Sequence, residues 1–380
     1  MARGSIVERG NSYRVRISYQ ENGKRQMVTK TAPSRRQAEK LKTELLAEVD
    51  KGTFIKPSKL TVQAHLEQWL DGYVRSTVSP RTHELYNYIA HKHLIPALGA
   101  IPLSQLRPQH IQTLYADKLQ QGLSPRTVQL LHVTLHLALA NALRTGILAR
   151  NPLDGVDPPK VERHEMKTMT EDDISRFLNE ARKGEYYSLF FCLLFTGMRR
   201  GEALSLRWND VDLLGCQLSI NRTMQFLNNK VTFKTPKTAS SRRQIALSPS
   251  TCVMLRLHRE VQDNVRQSIG LPPVSDSDLI FCQYDGKPLL PNSVTHVWIK
   301  TVRRCGLDGI RLHDARHSHA SLMLKNGTNP KVIQERLGHA SFSTTMNLYA
   351  HLSPGMQKEA ANRFDDMVVG DGRDKSVTIP

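Results

Sequence analysis

Hydrophobic and polar residues alternate with a period of two close to the N-terminus. Over residues 12–19 the odd positions are apolar or aromatic, and the even positions include Arg14 and Arg16. This period predicts a β-strand with one buried face, so both arginines are expected on the exposed face. Asn22-Gly23 is typical of a tight hairpin turn, and residues 26–31 are expected to form the returning strand.

A helical pattern follows this hairpin. Ser34 and Gln37 have the spacing of a capping box. Behind them, apolar residues recur every three or four positions, at Ala38, Leu41, Leu45 and Val49. Residues 1–59 are therefore predicted to form a domain with a small β-sheet and one helix.

Residues 60–158 show helical patterns alone and predict an all-α domain. The tetrapeptide Ser-Pro-Arg-Thr occurs twice, at 79–82 and at 124–127. Serine suits the N-cap of a helix and proline its first position. Arg81 and Arg126 would then lie in first helical turns, where free backbone N–H groups also favour a phosphate. Plain helix capping explains the serine and the proline equally well.

Residues 159–365 mix the two periods. A nearly all-apolar stretch at 186–195 predicts a buried helix, and strand-like runs follow at 218–224, 230–235 and 243–247. The fold class expected for the whole chain is multidomain α+β. It combines a small N-terminal sheet plus helix, an all-α domain, and a mainly α domain with a small antiparallel sheet. A C-terminal tail at 366–380 would follow.

The chain carries a large positive charge. Its 380 residues include 53 Lys and Arg against 35 Asp and Glu, a net charge of +18, and residues 1–59 hold 14 basic against 6 acidic residues. This charge favours nucleic acid as a partner, with solubility as the alternative explanation. No apolar run reaches 18 residues and no apolar signal core is present, so neither a membrane nor secretion is expected. Five scattered cysteines without a CxxC pair fit a reducing cytoplasm.

Two residue pairs with a spacing of i, i+3 could carry chemistry. Arg199 and Glu202 would share one helix face, so the carboxylate could fix the guanidinium and leave other N–H groups free for an oxyanion. A purely structural ion pair is the alternative. His313 and Arg316 could face one phosphate, the arginine as a charge clamp and the histidine as a proton carrier. The alternative is that both are ordinary surface residues of a helix.

Three further motifs are weak on their own. A basic hairpin between two strand-like runs carries Lys234 and Lys237, which could reach a phosphate or simply be solvated. Leu337-Gly338-His339 ends a predicted helix. Tyr349 lies ten residues beyond His339, where a core or rim tyrosine is the ordinary explanation.

The order of these motifs resembles the tyrosine recombinase (phage integrase) family. The matching motifs are Thr196-Gly197-Met198-Arg199 with Glu202 and Leu206-Arg207-Trp208, His313-Asp314-Ala315-Arg316-His317, Leu337-Gly338-His339-Ala340-Ser341, and Tyr349-Ala350-His351. The resemblance extends over the whole chain. Residues 1–59 resemble the arm-type DNA-binding domain of the longer integrases, 60–158 the helical core-site-binding domain, and 159–365 the catalytic domain.

The resemblance implies a nucleophile and a charge clamp. Tyr349 would attack a DNA phosphodiester, form a 3′-phosphotyrosyl link and release a 5′-hydroxyl. Arg199 and Arg316 would clamp the non-bridging oxygens, where negative charge builds in the transition state. Glu202 would hold Arg199.

The resemblance also implies proton carriers. His313 would act as general acid/base near the phosphate, and His339 would hydrogen-bond it. A hairpin lysine would protonate the leaving 5′ oxygen. Lys237 is chosen for this role because the residues around it match the family pattern better, and Lys234 would contact a backbone phosphate.

The implied partners are double-stranded DNA attachment sites of core and arm type, the arm sites being contacted by Arg14 and Arg16. The enzyme would act as a homotetramer on two synapsed DNAs in the bacterial cytoplasm or nucleoid, integrating and excising a phage or mobile element. An accessory DNA-bending or excision factor is left open. No metal and no other cofactor is expected, because the covalent link stores the phosphodiester energy and no GxxxxGK[ST] loop is present.

Three other functions compete with this one. A zinc hydrolase would use His313 and His317, but the HExxH glutamate is missing and Arg316 would repel the cation. A non-catalytic, sequence-specific DNA-binding regulator would suit the basic first segment but leaves the order of the motifs unexplained. A type IB topoisomerase shares related chemistry, but the arm-like first segment favours the integrases.

Overall fold

The computed structural model describes residues 2–21, 24–50, 59–162, 167–227, 229–235, 242–338, 361–362 and 364–368. The chain divides into two compact units, Met1–Arg163 and His164–Pro380, and each is described by itself. No helix among the described residues combines the length and the apolar character needed to cross a bilayer.

The first unit begins with a three-stranded antiparallel sheet covered by one helix. Its elements are β1 Arg3–Arg9, β2 Ser12–Glu21, β3 Lys24–Ala32 and α1 Arg35–Asp50, and the strand order is β1-β2-β3. Val15 and Ile17 of β2 are fully buried in one cluster with Ala38 and Leu45 of α1. The alternation along β2 and the helical stripe therefore meet in one small core.

Strand β1 is absent from the sequence-based prediction, which expected a two-stranded hairpin. It pairs along β2 from Arg3↔Ser18 to Arg9↔Ser12. Ile6 is its one residue that packs against the core, so its sequence has too little alternation to predict a strand. The predicted turn at Asn22-Gly23 lies outside the described residues.

A bundle of helices makes up the rest of the first unit. Its α-helices are α2 Val62–Trp69, α3 Arg75–Thr77, α4 Pro80–Ile89, α5 Ile95–Leu98, α6 Pro108–Gln120 and α7 Pro125–Arg144, and π-helical segments at Leu70–Val74 and Ala90–Leu94 join α2 to α3 and α4 to α5. Its hydrophobic cluster is separate from that of the sheet. Ser79 and Ser124 cap α4 and α7 by accepting backbone N–H bonds from Thr82 at 3.3 Å and Thr127 at 3.2 Å. Both Ser-Pro-Arg-Thr segments thus begin helices.

The second unit is mainly helical with two small antiparallel sheets. Its helices are α8 Glu171–Ala181, α9 Tyr187–Thr196, α10 Arg200–Ala203, α11 Pro249–Ser268, α12 Pro291–Arg304, α13 Asp314–Lys325 and α14 Pro330–Leu337. Its strands are β4 Val211–Asp212, β5 Gln217–Ile220, β6 Thr223–Leu227, β7 Lys230–Lys234 and β8 Arg243–Ala246, in the orders β4-β5-β8 and β6-β7. Helix α9 is central, and its Phe190 packs against Trp298 with ring centroids 5.2 Å apart.

The single strand predicted at 218–224 is two strands in two sheets. The chain breaks at Asn221 and Arg222, whose side chains donate hydrogen bonds to Asp210 at 3.1 and 2.6 Å. The Arg222 carbonyl also accepts a bond from the Ser205 hydroxyl at 2.9 Å. These polar contacts with Ser205 and Asp210 separate β5 from β6. The local periodicity of residues 218–224 does not reveal them.

Candidate active site

The turn between α9 and α10 carries Arg199. Helix α9 ends at Thr196, and Gly197 has a φ of +65°, a left-handed conformation that glycine adopts without strain. A Cβ atom on Gly197 would lie 2.6 Å from Leu337 Cδ2 and 2.7 Å from His319 Cδ2. The turn is therefore packed tightly against α13 and α14, and this contact determines where Arg199 lies.

Glu202 of α10 is a carboxylate that two arginines share. Arg199 donates its backbone N–H to Oε2 and its Nη1 to Oε1, both at 2.9 Å. Arg243 of β8 donates Nη1 to Oε1 at 3.2 Å and Nη2 to Oε2 at 2.9 Å. The side chains of Glu202 and Arg243 are each 6% exposed, whereas that of Arg199 is 40% exposed. Glu202 thus fixes one side of Arg199 and leaves the rest accessible.

Arg316 of α13 is a buried cation held by backbone carbonyls. It is 3% exposed, and it donates Nη1 to the Gly197 carbonyl at 2.9 Å and Nη2 to the Leu337 carbonyl at 2.6 Å. No carboxylate among the described residues forms an ion pair with it. Its positive charge is therefore only partly compensated within the part of the chain that the structure describes.

Three consecutive carbonyls at the C-terminal end of α14 accept hydrogen bonds from three different arginines. The Arg336 carbonyl accepts from Arg243 Nε at 2.7 Å, and the Gly338 carbonyl accepts from Arg199 Nη2 at 3.2 Å. Arg316 binds the carbonyl between them. The last carbonyls of a helix lack intrahelical partners and form the negative end of its dipole, so they suit cations. The guanidinium groups of Arg199 and Arg316 are thereby brought close together.

Burial and repulsion between cations set the charges in this cluster. Burial, followed by the positive charge of Arg199, lowers the pKa of Arg316 to about 9, and Glu202 opposes this change. Arg316 therefore stays charged at neutral pH. Burial also lowers the pKa of His313, with help from the nearby charges of His317 and Arg316. His313 is consequently mostly neutral at pH 7, as a proton acceptor must be.

His313 directly precedes α13, whose first turn is anchored by a buried carboxylate. Asp314 accepts bonds of 2.7 to 3.1 Å from the backbone N–H, Nε and Nη2 of Arg311. The rings of His313 and His317 are perpendicular, with centroids 4.8 Å apart. Within the described residues, no three His, Cys, Asp or Glu side chains are grouped so that they could hold a metal ion.

Lys234 is at the end of β7, opposite Thr223 on β6. It is partly exposed and, with Arg242, lines a polar cavity of about 370 Å³. The other predicted site residues Lys237, His339 and Tyr349 lie outside the described residues. The structure thus brings together Arg199, Glu202, His313 and Arg316. The predicted hairpin between the runs at 230–235 and 243–247 is wrong, because β7, which carries Lys234, pairs with β6, whereas β8 pairs with β5 in the other sheet.

The open face of the first sheet, opposite α1, carries Arg14 and Arg16. Strand register adds further arginines to this face, namely Arg3, Arg9 and Arg25. The described residues of this face include no Asp or Glu. All charged residues described on this face are therefore basic.

Arg81 and Arg126 are held along their own helices. Arg81 donates to Glu84 at 3.1 Å and Arg126 to Gln129 at 2.5 Å. Both side chains are exposed, and these contacts with their own helices are as expected of helix capping segments.

Sequence reasoning gave no role to three residues that organise the cluster: Arg243, His319 and Arg336. The Arg336 side chain donates to His319 Nε2 at 3.1 Å, to the Phe195 carbonyl at 3.2 Å and to the Ala246 carbonyl at 2.9 Å. It thereby ties α14 to α13, α9 and the end of β8. Two signals were available: His319 lies three residues beyond Arg316 on the same helix face, and Arg336 directly precedes the Leu-Gly-His motif.

Comparison with known families identifies the protein class. A model described as the phage integrase family matches residues 167–356, half of the chain, and one described as the phage integrase N-terminal SAM-like domain matches residues 61–120. The class that the fold and these matches define is that of DNA strand-transferring enzymes. The chain belongs to the phage integrase family, and it is a tyrosine-type site-specific recombinase.

Individual relatives and solved structures agree with this family. The ICEBs1 integrase of Bacillus subtilis is 28% identical over 291 residues, covering 76% of this chain and 78% of the relative. A XerC-like tyrosine recombinase of Caldanaerobacter subterraneus is 28% identical over 394 residues, covering 96% and 99%. The fold is similar to the Tn1549 transposon integrase in complex with a circular intermediate DNA (TM-score 0.69, 18% identity, 80% of this chain and 99% of that one). It is also similar to a lambda integrase dimer bound to a core site (TM-score 0.60, 18% identity, 90% and 93%).

Proposed function

We propose that the chain integrates and excises a phage or other mobile element through a 3′-phosphotyrosyl intermediate. Tyr349 Oη would attack the scissile phosphorus, and the bond from phosphorus to the 5′ oxygen would break as the bond to tyrosine forms. The phenol loses one proton and the leaving 5′ oxygen gains one. Because one phosphodiester replaces another, the step requires no nucleotide cofactor.

The observation that carries this proposal is the convergence of Arg199 and Arg316 on the end of α14. Together with Arg243, they place three guanidinium groups around the single carboxylate of Glu202, which pairs directly with Arg199 and Arg243 only. A phosphodiester would supply the missing negative charge through its two non-bridging oxygens. Donors fixed in advance in such a partly buried site stabilise the charge that develops in the transition state, with an effect of about 10²- to 10³-fold per donor.

Protons would be carried by His313, His339 and Lys237. His313 is mostly neutral at pH 7 because burial lowers its pKa, and it would exchange a proton at the phosphate. His339 follows Gly338, whose carbonyl holds Arg199, and it would hydrogen-bond the same phosphate. Lys237, between β7 and β8, would protonate the leaving 5′ oxygen, and Glu202 would keep Arg199 in position.

Three domains would divide the binding of double-stranded DNA. Residues 1–59 would hold arm-type sites through the basic sheet face, and residues 60–158 and 159–365 would hold the core site, with 366–380 as a tail. Backbone-phosphate contacts are assigned to Arg81, Arg126 and Lys234. A homotetramer is proposed because two synapsed duplexes have four strands to cut and each protomer supplies one tyrosine. An accessory DNA-bending or excision factor is a further proposed partner.

Covalent trapping tests the proposal. A duplex from the DNA flanking the gene, nicked so that cleavage releases a short diffusible fragment, would accumulate a protein–DNA adduct that resists denaturant. We expect this adduct with the wild-type protein and not with Tyr349→Phe, while both bind the duplex. If the wild type forms no adduct that the phenylalanine variant lacks, the proposed chemistry is wrong.

A further inference from the structure

Arg243 lies in the arginine cluster, but the proposed mechanism gives it no role. It begins β8, and its side chain is 6% exposed. Nη1 and Nη2 bind the two oxygens of Glu202 at 3.2 and 2.9 Å, and Nε binds the Arg336 carbonyl at 2.7 Å. Each of its three nitrogens therefore donates within the protein, in contrast to the more exposed Arg199.

We propose that Arg243 is a positioning residue for strand cleavage, which locks Glu202 and the end of α14 so that Arg199 and Arg316 aim at one phosphate. The inference rests on the proposed function. It concerns how the two clamping arginines are held, and Arg243 itself would not touch the phosphate.

Glu202 alone would hold Arg199 loosely. Helix α10 has four residues and the Arg199 side chain is 40% exposed, so Glu202 can hold this guanidinium in one direction only if its own carboxylate is fixed. Arg243 comes from a different element and binds both carboxylate oxygens through its planar fork, which fixes the plane of the carboxylate. Arg199 then has one direction in which both of its bonds to Glu202 are satisfied.

The Nε contact extends this lock to α14. Arg243 binds the carbonyl of Arg336, and the next two carbonyls along the chain hold Arg316 and Arg199. A single guanidinium thus joins the carboxylate behind Arg199 to the helix end that holds both clamping arginines. A shift of Arg243 would move these two supports relative to each other.

Replacing Arg243 with lysine separates geometry from charge. An ammonium keeps the positive charge, but it donates from one nitrogen and cannot reproduce the planar contacts to Glu202 and to the Arg336 carbonyl. We expect the single-turnover cleavage rate constant at saturating protein to fall on the order of 100-fold, as for a misplaced reacting group. DNA affinity should stay close to wild type, because Arg243 is buried.

Arg266→Lys is the matched control. Arg266 also binds one carboxylate, Asp278 at 2.8 Å, and one backbone carbonyl, Pro272 at 2.8 Å. These partners lie elsewhere in the same unit, so its cleavage rate constant should equal that of the wild type. A rate constant at saturation does not depend on the folded fraction, so partial unfolding of Arg243→Lys would lower the amount of adduct and leave the rate constant unchanged.

A second substrate shows whether Arg243 acts through the clamp. Replacing a non-bridging oxygen of the scissile phosphate with methyl, in each diastereomer, removes the negative charge that Arg199 and Arg316 would bind. We expect Arg243→Lys to slow cleavage of the phosphate much more than cleavage of the methylphosphonate. An unchanged rate constant, or an equal loss with both substrates, would overturn the inference while leaving the proposed function intact. A wild-type protein that forms no adduct would instead overturn the proposed function itself.

Discussion

Replacing Glu202 with glutamine removes one acceptor atom from the centre of the arginine cluster. Glu202 accepts four hydrogen bonds, two at each oxygen, from Arg199 and Arg243. In glutamine one oxygen becomes an NH₂ group, which donates and does not accept. Whichever way the amide is oriented, two N–H donors lose their acceptor and face another donor.

The size of the effect follows from those two lost bonds. A hydrogen bond to a charged group contributes about 1.5–3 kcal/mol, so Glu202→Gln should destabilise the second unit by about 3–6 kcal/mol. For units of about 150–250 residues each kcal/mol lowers Tm by about 2–4 °C, so Tm should fall by about 6 °C or more. Cleavage should slow as well, because Arg199 would lose its fixed direction.

Calorimetric unfolding at pH 7, with urea titration as a second measurement, checks this expectation. Glu171→Gln is the control, because Glu171 forms an exposed ion pair with Lys325 at 3.3 Å and its loss should leave Tm nearly unchanged. A Glu202→Gln protein that melts within about 2 °C of the wild type would refute the reasoning that these bonds hold the cluster together.

Three further outcomes are expected. Arg199→Ala or Arg316→Ala should slow adduct formation by about 10²- to 10³-fold with core-site affinity largely retained in gel-shift assays, and a parallel loss of binding would contradict this. Arg14→Ala combined with Arg16→Ala should spare cleavage, weaken arm-site binding and reduce the salt slope of the binding constant by about 2, and an unchanged slope would argue against the basic sheet face. Burial lowers the pKa of His319 from 6.5 to about 4, so the unfolded chain takes up a proton first as pH falls. The contribution of His319 to the free energy of unfolding is then fully present above pH about 6.5 and is lost towards pH 4, by on the order of 3 kcal/mol. The urea midpoint of His319→Gln should therefore change less with pH across this window.

Local patterns predicted most elements of the fold because they depend on neighbouring residues. Ser79 and Ser124 cap helices through N–H groups three residues away, and the alternation along β2 alone identifies its buried face. Strand β1 was missed because it depends on pairing with β2. The break between β5 and β6 was missed because Asp210, from another segment, binds the residues at the break.

For the candidate site, too, some features could be predicted from the sequence and others required the tertiary structure. The sequence by itself determined the order of the motifs, the family that this order indicates, and the pairing of Arg199 with Glu202. Arg199 is the N-cap of α10 and not a residue of its face as predicted, but its contact with the residue three positions later is still local to the start of one helix. Only the tertiary structure decided that Arg243 shares the carboxylate and that three arginines meet at the end of α14. Those contacts join α9, α10, α13, α14 and β8. Packing of the core brings these elements together, and no spacing along the chain encodes that packing.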